Sequence, residues 1–374
     1  MASTARRCPV GTSDAIRTSC SCDPSLGRVV LFYAYVPVAR PKELGDAILK
    51  AFSKTALTGK IRIAREGINC TAAGDVDTID AFVAYMTSIK ELGLEDKCGD
   101  DDFWKRELGC AHAFATLSVR VVDEIVPFGA RELDPNTVSE ECVDALTPEA
   151  WHAALKQMQT LGVNSGTSLL DVRNFYESRI GHFEGSTLAP IRRFSQIKEY
   201  LQRDGVLEQH VTGKEMFIFC TGGVRCEKVA AYLTRQLPPE KRPKAVHKLD
   251  GGIVAYSKRI GSEESLFKGS NYVFDARGSV KITNDTPATS WCDGCQKPST
   301  RLGKCAGRLC HYVIITCEQC PDDATYCCAS CREQTEEAKG LEKFKRRPCE
   351  CDCFEARERR CAPPPTPTPT PTPV

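Results

Sequence analysis

The stretch Cys220-Thr221-Gly222-Gly223-Val224-Arg225-Cys226 has the residue types and spacing for nucleophilic chemistry. It follows the apolar run Met216–Phe219 and precedes Glu227–Leu237, where Val229, Leu233 and Leu237 share one helical stripe. The pattern predicts a cysteine at the C-terminal end of a buried strand, in a short loop feeding a helix N-terminus. An α/β sheet carries its chemistry at such a place. Backbone N–H groups and the helix dipole favour an anion there, so a thiol has a depressed pKa and is a nucleophile at neutral pH. Gly222 and Gly223 let the loop turn its amides inward, and Arg225 can close the loop or lend fixed positive charge. Cys226 reads as a resolving thiol or as a small buried side chain at the helix start. Buried cysteine behaves as a small hydrophobe, which favours the second.

A second chemistry is written in the C-terminal third. Of 22 cysteines, 13 lie between Cys292 and Cys361. No apolar run is long enough to span a membrane, and Met1–Gly27 contains no secretory apolar region. Disulfides therefore lack a compartment, and metal binding or catalysis is the better reading. Cys292-x2-Cys295 and Cys317-x2-Cys320 have zinc-knuckle spacing, and Cys305, Cys310, Cys328 and Cys331 make a second set. The expectation is two interleaved structural zinc sites, each of four thiolates, with Cys327 and Cys328 competing for one ligand place. Cys349, Cys351, Cys353 and Cys361 could bind another metal, but their place in a charged tail argues against it.

The elements that must position these residues fall into three groups. Residues 1–27 read as a disordered arm. From residue 28 to 128, strands at 29–36, 60–64, 67–73 and 114–122 and helices at 41–53 and 76–89 give the order β-α-β-β-α-β of a ferredoxin-like, or acylphosphatase-like, domain. Residues 129–145 read as a linker. Residues 146–262 alternate helices with the buried strands 168–172, 216–219 and 246–249, which implies an α/β doubly wound parallel sheet covered on both faces. A connector at 263–290, a zinc-binding module at 291–335 and a charged, then Thr-Pro-rich disordered tail at 336–374 complete the chain. Net charge is +1, so the whole-chain balance points to no partner. Residues 146–262, however, carry 17 Lys/Arg against 11 Asp/Glu, and residues 47–65 hold Lys50, Lys54, Lys60, Arg62 and Arg65 with no acid. Such patches read as a solvated face or as a surface for a polyanion.

Asp171-Val172-Arg173, Gly181-His182-Phe183-Glu184-Gly185-Ser186, Cys220-x4-Arg225 and Asp250-Gly251-Gly252 occur in the order of marks of a rhodanese domain. Over residues 28–280 the chain more particularly resembles the rhodanese-fold tRNA uridine hydroxylase family. The resemblance rests on Arg65-Glu66-Gly67-Ile68-Asn69, on Val119-Arg120-Val121 followed by Glu124-Ile125-Val126, and on the whole loop 220–228. A lone Cys-x4-Arg would be weak; the nine-residue loop is specific. The cysteine block 292–331 resembles that of eukaryotic rhodanese-like proteins of the same group.

The resemblance implies an enzyme, with Cys220 catalytic, Arg225 supporting it, and Thr221, Gly222, Gly223, Val224 and Cys226 forming the anion-holding loop. It implies hydroxylation at carbon 5 of the wobble uridine, with dioxygen as co-substrate and the tRNA anticodon region as partner. By position in the family, Asp171 and Arg173 shape the pocket; a salt bridge bracing the fold, for instance with Glu184, is the other reading. Lys60, Arg62 and Arg65 are the candidates for tRNA phosphates, which position without specifying. Asn69 reads as a turn former and His182 as a structural hydrogen-bonding residue. The sequence contains no flavin or nicotinamide fingerprint. Two rival functions stand beside this one: a thiosulfate or persulfide sulfurtransferase, and a non-catalytic RNA- or protein-binding adaptor built on the zinc block. The intact Cys220 loop argues against the adaptor. Location is expected to be cytoplasmic, with Arg6, Arg7 and Arg17 leaving a mitochondrial or plastid presequence as the alternative.

Overall fold

The computed structural model describes residues 22–137, 143–161, 166–283 and 288–361. The expected arm, through residue 21, and the Thr-Pro segment from 362 lie outside them.

The first sheet is built from β1 (Gly27–Tyr35), β2 (Thr58–Ala64) and β3 (Gly67–Asp75), with α1 (Pro41–Phe52) and α2 (Val76–Thr87) against one face. Pro41 occupies the first turn of α1, where its missing N–H costs nothing, and the Asp75 carboxylate caps α2 through the Thr78 amide. Leu44, Ile48 and Phe52 of α1 meet Ile79, Phe82, Val83 and Met86 of α2 over Phe32, Ile61 and Ile63. Because side chains alternate along a strand, Leu31, Tyr33 and Tyr35 of β1 point away from those helices. That second face carries the function.

The strand expected at 114–122 does not close this sheet as the ferredoxin-like order predicts. After α2 the chain coils through α3 (Asp101–Trp104), whose Trp104 ring packs on Phe32 at a centroid distance of 4.5 Å. This delivers the two-residue β4 (Glu107–Leu108) to the free edge of β1. β5 (Leu117–Val121) then lies parallel to β2 at the opposite edge, giving the order β4-β1-β3-β2-β5.

The second sheet begins inside the expected linker. β6 (Val143–Leu146) is its outer strand, followed by α4 (Pro148–Leu161), β7 (Thr167–Asp171), α5 (Phe175–Arg179), β8 (Gly181–Phe183) and β9 (Thr187–Leu188). Next come α6 (Ile197–Leu201), α7 (Val206–His210), β10 (Glu215–Phe219), α8 (Val224–Ala231), β11 (Ala245–Leu249) and α9 (Gly252–Ile260). The order is β6-β11-β10-β7-β9, with every pair parallel. One face buries Ile197, Leu201, Leu207, Val229 and Leu233, and the other buries Trp151, Leu155, Ile253 and Tyr256. The doubly wound reading therefore holds. The helix expected to run to Leu237 is α-helical only through Ala231 and continues as a π-helical turn over Tyr232–Gln236.

Beyond α9, β12 (Phe267–Tyr272) sits between β8 and β13 (Ser279–Lys281). The cysteine-rich part forms the hairpin β14 (Arg301–Lys304) and β15 (Val313–Thr316), then α10 (Ala329–Glu337). The expected disordered tail is folded as far as α11 (Phe354–Cys361). Cys349 and Cys351 are buried among other thiols, Phe354 enters the core of the parallel sheet, and the Arg357 guanidinium is buried on the carbonyls of Pro190 and Cys351. Charge and proline in the surrounding sequence hid these anchors.

Candidate active site

Cys220 ends β10 and is fully buried by protein. Its Sγ accepts a hydrogen bond from the Gly223 amide at 3.2 Å. Burial alone would raise this thiol. The Cys226 S–H, the Arg225 guanidinium and the amides of Arg225 and Cys226 outweigh burial and bring it down to about 5. Cys226 is pushed the other way, by burial and by the neighbouring Cys220. Cys226 is fully buried at the start of α8, as a small buried side chain is, and the opposite shifts favour the Cys220 thiolate beside a protonated Cys226. Alkylation of Cys220 is expected to follow a titration near pH 5. Cys226→Ala removes one hydrogen bond to an anion, worth about 1.5–3 kcal/mol, which moves that titration up by roughly one to two units. Cys226→Ser keeps a donor and is expected to stay near the wild-type profile; loss of activity in both variants would instead indicate a resolving thiol.

The supporting arginine has a partner that sequence reasoning missed. Arg225 donates to both carboxylate oxygens of Glu177, at 2.8 and 2.7 Å, and to Thr221 Oγ1 at 3.2 Å. Glu177 is fully buried at the start of α5, where its carboxylate also accepts from the Asn174 amide. The bidentate pair fixes the guanidinium behind the loop. Only an acid three residues after a helix-capping asparagine hinted at it.

The loop is also clamped from behind. Gly252 adopts φ +66°, and a Cβ there would sit 2.6 Å from the Thr221 carbonyl and 2.7 Å from that of Cys220. The Ile253 and Val254 amides donate to those carbonyls at 3.0 and 3.1 Å. The Asp250-Gly-Gly252 mark is thus the floor under the Cys220 turn.

From the front, the first sheet presses on the same loop. A Cβ on Gly222 would meet Leu31 Cδ2 at 2.5 Å, and one on Gly223, at φ +99°, would meet the Tyr33 hydroxyl at 2.8 Å. Gly223 is required by its backbone, whereas a Cβ at Gly222 would have to displace the end of the Leu31 side chain. The Tyr33 hydroxyl donates to Glu227 at 3.0 Å, and that of Tyr35 to the Val224 carbonyl at 3.2 Å. Lys228, fully buried, donates to Glu66 and to the Leu133 carbonyl, with Glu124 at 3.7 Å. Glu66 in turn accepts from the Ile125 amide at 2.8 Å, and Asn69 donates to the Ile125 carbonyl at 3.2 Å. The Glu66–Asn69 segment, the Glu124–Val126 segment and the end of the catalytic loop, far apart in sequence, are therefore one seam. Asn69 is a tie across it rather than a turn former.

A cavity of about 450 Å³ opens at this seam. Cys220, Thr221, Gly222, Val224 and Arg225 line one side; Lys60, Arg62 and Asn69 from the first sheet line another. Arg192, Arg193, Tyr176, Phe114 and Phe274 are among the other lining residues. The sequence reading missed all five, because nothing local marks them as neighbours of Cys220. Arg65 is outside the cavity, exposed at the β2–β3 turn.

Asp171 and Arg173 do not shape the pocket as expected. They pair with each other: Arg173 Nε and Nη2 reach the Asp171 carboxylate at 2.9 and 2.6 Å, and Nη2 also donates to the Gly181 carbonyl at 2.6 Å. Both are fully buried, so the bracing role is the correct one, with the partner two residues away rather than Glu184. His182 accepts its place as a structural residue, its Nδ1 2.9 Å from the Ser178 carbonyl. A further buried cation, Lys105, lies in a neighbouring cavity of about 350 Å³, its Nζ 5.2 Å from the Tyr33 ring, and burial brings it down to about 8.

Cys292, Cys295, Cys317 and Cys320 gather with all four sulfurs within 4.8 Å of one another. Cys305, Cys310, Cys327 and Cys331 do the same. Cys327 thus takes the place expected for Cys328. It is buried and its amide donates to Cys305 Sγ at 3.2 Å, whereas Cys328 caps α10 at the rim. The donor sets fit a tetrahedral thiophilic cation.

Comparison with known proteins agrees with this division. Residues 27–125 match the UPF0176 acylphosphatase-like domain, residues 151–259 the rhodanese-like domain, and residues 268–332 the rhodanese C-terminal family. The tRNA uridine(34) hydroxylase of Streptococcus suis (strain 05ZYH33) is 31% identical over 311 residues, spanning 82% of this chain and 88% of that protein. That of Streptococcus thermophilus (strain ATCC BAA-491 / LMD-9) is 32% identical over 299 residues, 79% of this chain and 85% of its own. The matched family domains, residues 27–125 and 151–259, hold the two halves of the seam that encloses Cys220, and at this identity and coverage the chain belongs to the tRNA uridine(34) hydroxylase family.

Proposed function

We propose that this chain hydroxylates carbon 5 of uridine 34 in a tRNA anticodon loop, with Cys220 as nucleophile. One observation carries the reading: a cysteine poised as thiolate lines a two-domain cavity that further cations and several aromatic rings also line. The family supplies the base and the reaction. An anticodon loop can splay one base into such a cavity at low cost. Tyr176, Phe114 and Phe274 offer faces for it, while Lys60, Arg62, Arg192 and Arg193 suit the flanking phosphates.

The Cys220 thiolate adds to uracil carbon 6, forming a C–S bond and placing the electron pair on carbon 5. That carbon attacks dioxygen and, with one proton, becomes a hydroperoxide. Loss of the carbon-5 proton and expulsion of the thiolate restore the ring double bond. Two electrons and two protons from a reductant of the thiol class then cleave the O–O bond, leaving 5-hydroxyuridine and water. Arg225 and the loop amides favour thiolate as leaving group, because the anion returns to a site already built for it.

Zinc at the two four-thiol groups is part of the same proposal, as a structural ion that folds the C-terminal segment. Among the described residues no helix is long and apolar enough to cross a membrane. The many thiols suit a reducing compartment such as the cytoplasm.

Nucleoside mass spectrometry of tRNA from cells with and without the protein tests the reading. A uridine derivative heavier by one oxygen should vanish with the protein and return with wild type but not with Cys220→Ser. Loss of a thiolated uridine instead would replace hydroxylation by sulfur transfer, and an unchanged profile would remove tRNA as substrate.

A further inference from the structure

The sulfurs around α10 do not stop at four. Cys327, Cys328, Cys331 and Cys351 also lie within 4.8 Å of one another. This group shares Cys327 and Cys331 with the group Cys305, Cys310, Cys327, Cys331. The union is six cysteines, two of them common to both. Two separate ions with four thiolates each would need eight.

The spacing is that of metal-bound thiolates. A zinc–sulfur bond of about 2.3 Å gives a tetrahedron with edges of roughly 3.8 Å. The Cys310–Cys327, Cys310–Cys331 and Cys327–Cys331 sulfurs are 3.6, 3.6 and 3.4 Å apart, and Cys327–Cys328 are 3.9 Å apart. Disulfides require about 2.05 Å. We propose that these six cysteines hold two zinc ions as edge-sharing tetrahedra, with Cys327 and Cys331 bridging, Cys305 and Cys310 terminal on one ion, and Cys328 and Cys351 terminal on the other.

Loading the six thiols releases six protons and leaves a centre of net charge −2, since six thiolates outweigh two divalent ions. A cation faces this centre: Arg346, itself paired with Asp352 at 2.9 Å. Arg346 places Nη2 at 3.1 Å from Cys351 Sγ and 2.7 Å from Cys349 Sγ. Cys349, 3.4 Å from Cys331 and 3.2 Å from Cys351, lies at the margin of the cluster as a seventh sulfur engaged by that guanidinium. Amides of Gly307 and Cys327 donate to Cys305 Sγ at 3.2 Å each, as suits a thiolate.

The centre also reaches the catalytic cavity. Arg192, one of its lining cations, stacks over Tyr312 at 4.7 Å and donates to the Cys310 carbonyl and to Asp352. Cys351 brings Asp352 to that position. The second ion thus fastens the segment after residue 349 and, through it, holds Arg192 in the wall.

Native mass spectrometry of the full-length protein purified with zinc is expected to show three zinc ions per chain, one at the Cys292 group and two here. Cys351→Ser should show two. Loaded with cobalt(II), the wild type should show strong thiolate charge-transfer absorption for three ions but an EPR signal corresponding to about one, because the bridged pair couples through shared sulfur. Two zinc ions per chain in the wild type, or three uncoupled cobalt signals, would overturn the bridged centre. The wild-type stoichiometry and cobalt coupling together decide the matter even where Cys351→Ser fails to fold, and both are independent of whether the enzyme hydroxylates tRNA.

Discussion

Cys220→Ser is expected to lower single-turnover formation of 5-hydroxyuridine by about a thousandfold or more, since removing a nucleophile eliminates the covalent route outright. The sulfur sits in a fully buried loop whose geometry is set by Gly252 behind and Leu31 and Tyr33 in front. Serine is nearly isosteric and keeps the hydrogen bond from the Gly223 amide, so the fold should persist. What is lost is the anion: the loop that brings a thiol down to about 5 has a far harder task with an alcohol. Thermal melting and tRNA binding should therefore stay near wild type while product disappears. Retention of product by a folded Cys220→Ser protein would exclude thiolate addition to carbon 6.

The second large effect is expected at Arg225. Arg225→Met leaves Glu177 as a buried carboxylate without its bidentate partner, a loss of about 3–5 kcal/mol for breaking a buried pair from one side. In a unit of this size that lowers the melting temperature on the order of 10 °C. It also removes a positive charge that holds the Cys220 thiol down, so the pH at which alkylation sets in should rise. The double variant Arg225→Met with Glu177→Leu separates the two contributions. Removing both partners should restore most of the melting temperature, because replacing a buried ion pair by apolar side chains is often neutral. The raised thiol titration and the lost activity should remain. Calorimetry beside a pH series of iodoacetamide labelling reads both. Recovery of full activity in the double variant would make Arg225 a brace alone.

Much of this was legible in the sequence because it is local. A strand, two glycines and a helix stripe announce the Cys220 loop, and the paired knuckles Cys292–Cys295 and Cys317–Cys320 announce their own group. The helices with buried residues at every third or fourth position lie where periodicity puts them. What escaped was set by distance in the chain. Glu177 meets Arg225 across 48 residues and Glu66 meets Lys228 across 162, and no spacing rule reaches so far. Asp171 and Arg173 show the converse. They lie at the right strand end for a pocket, but the side chains close on each other in the interior. The substitution of Glu107–Leu108 for the expected edge strand has the same origin. Two residues carry no detectable period, and only Trp104 seated on Phe32 determines where they go. In the thiol cluster, adjacent Cys327 and Cys328 are equivalent as letters; burial at the head of α10 distinguishes them.

The fit of Gly222 against Leu31 and of Gly223 against Tyr33 has a consequence for how the protein is made. Synthesis runs from the N-terminus, and units fold as they emerge. The first sheet is complete by about residue 121, yet the face bearing Leu31, Tyr33 and Tyr35 is covered only in part, by Lys105, Val122 and Ile125, until the strand and loop at 215–228 arrive. During that interval a ribosome-bound chain displays three adjacent large side chains and the uncompensated Glu66 that later receives Lys228. Arrival of the loop ends this exposure and, in the same event, assembles the walls around the reactive sulfur. A nascent chain stalled or cleaved between these two points is a ready client for chaperones and proteases, so quality control can discard a half-made enzyme before it owns a reactive thiolate.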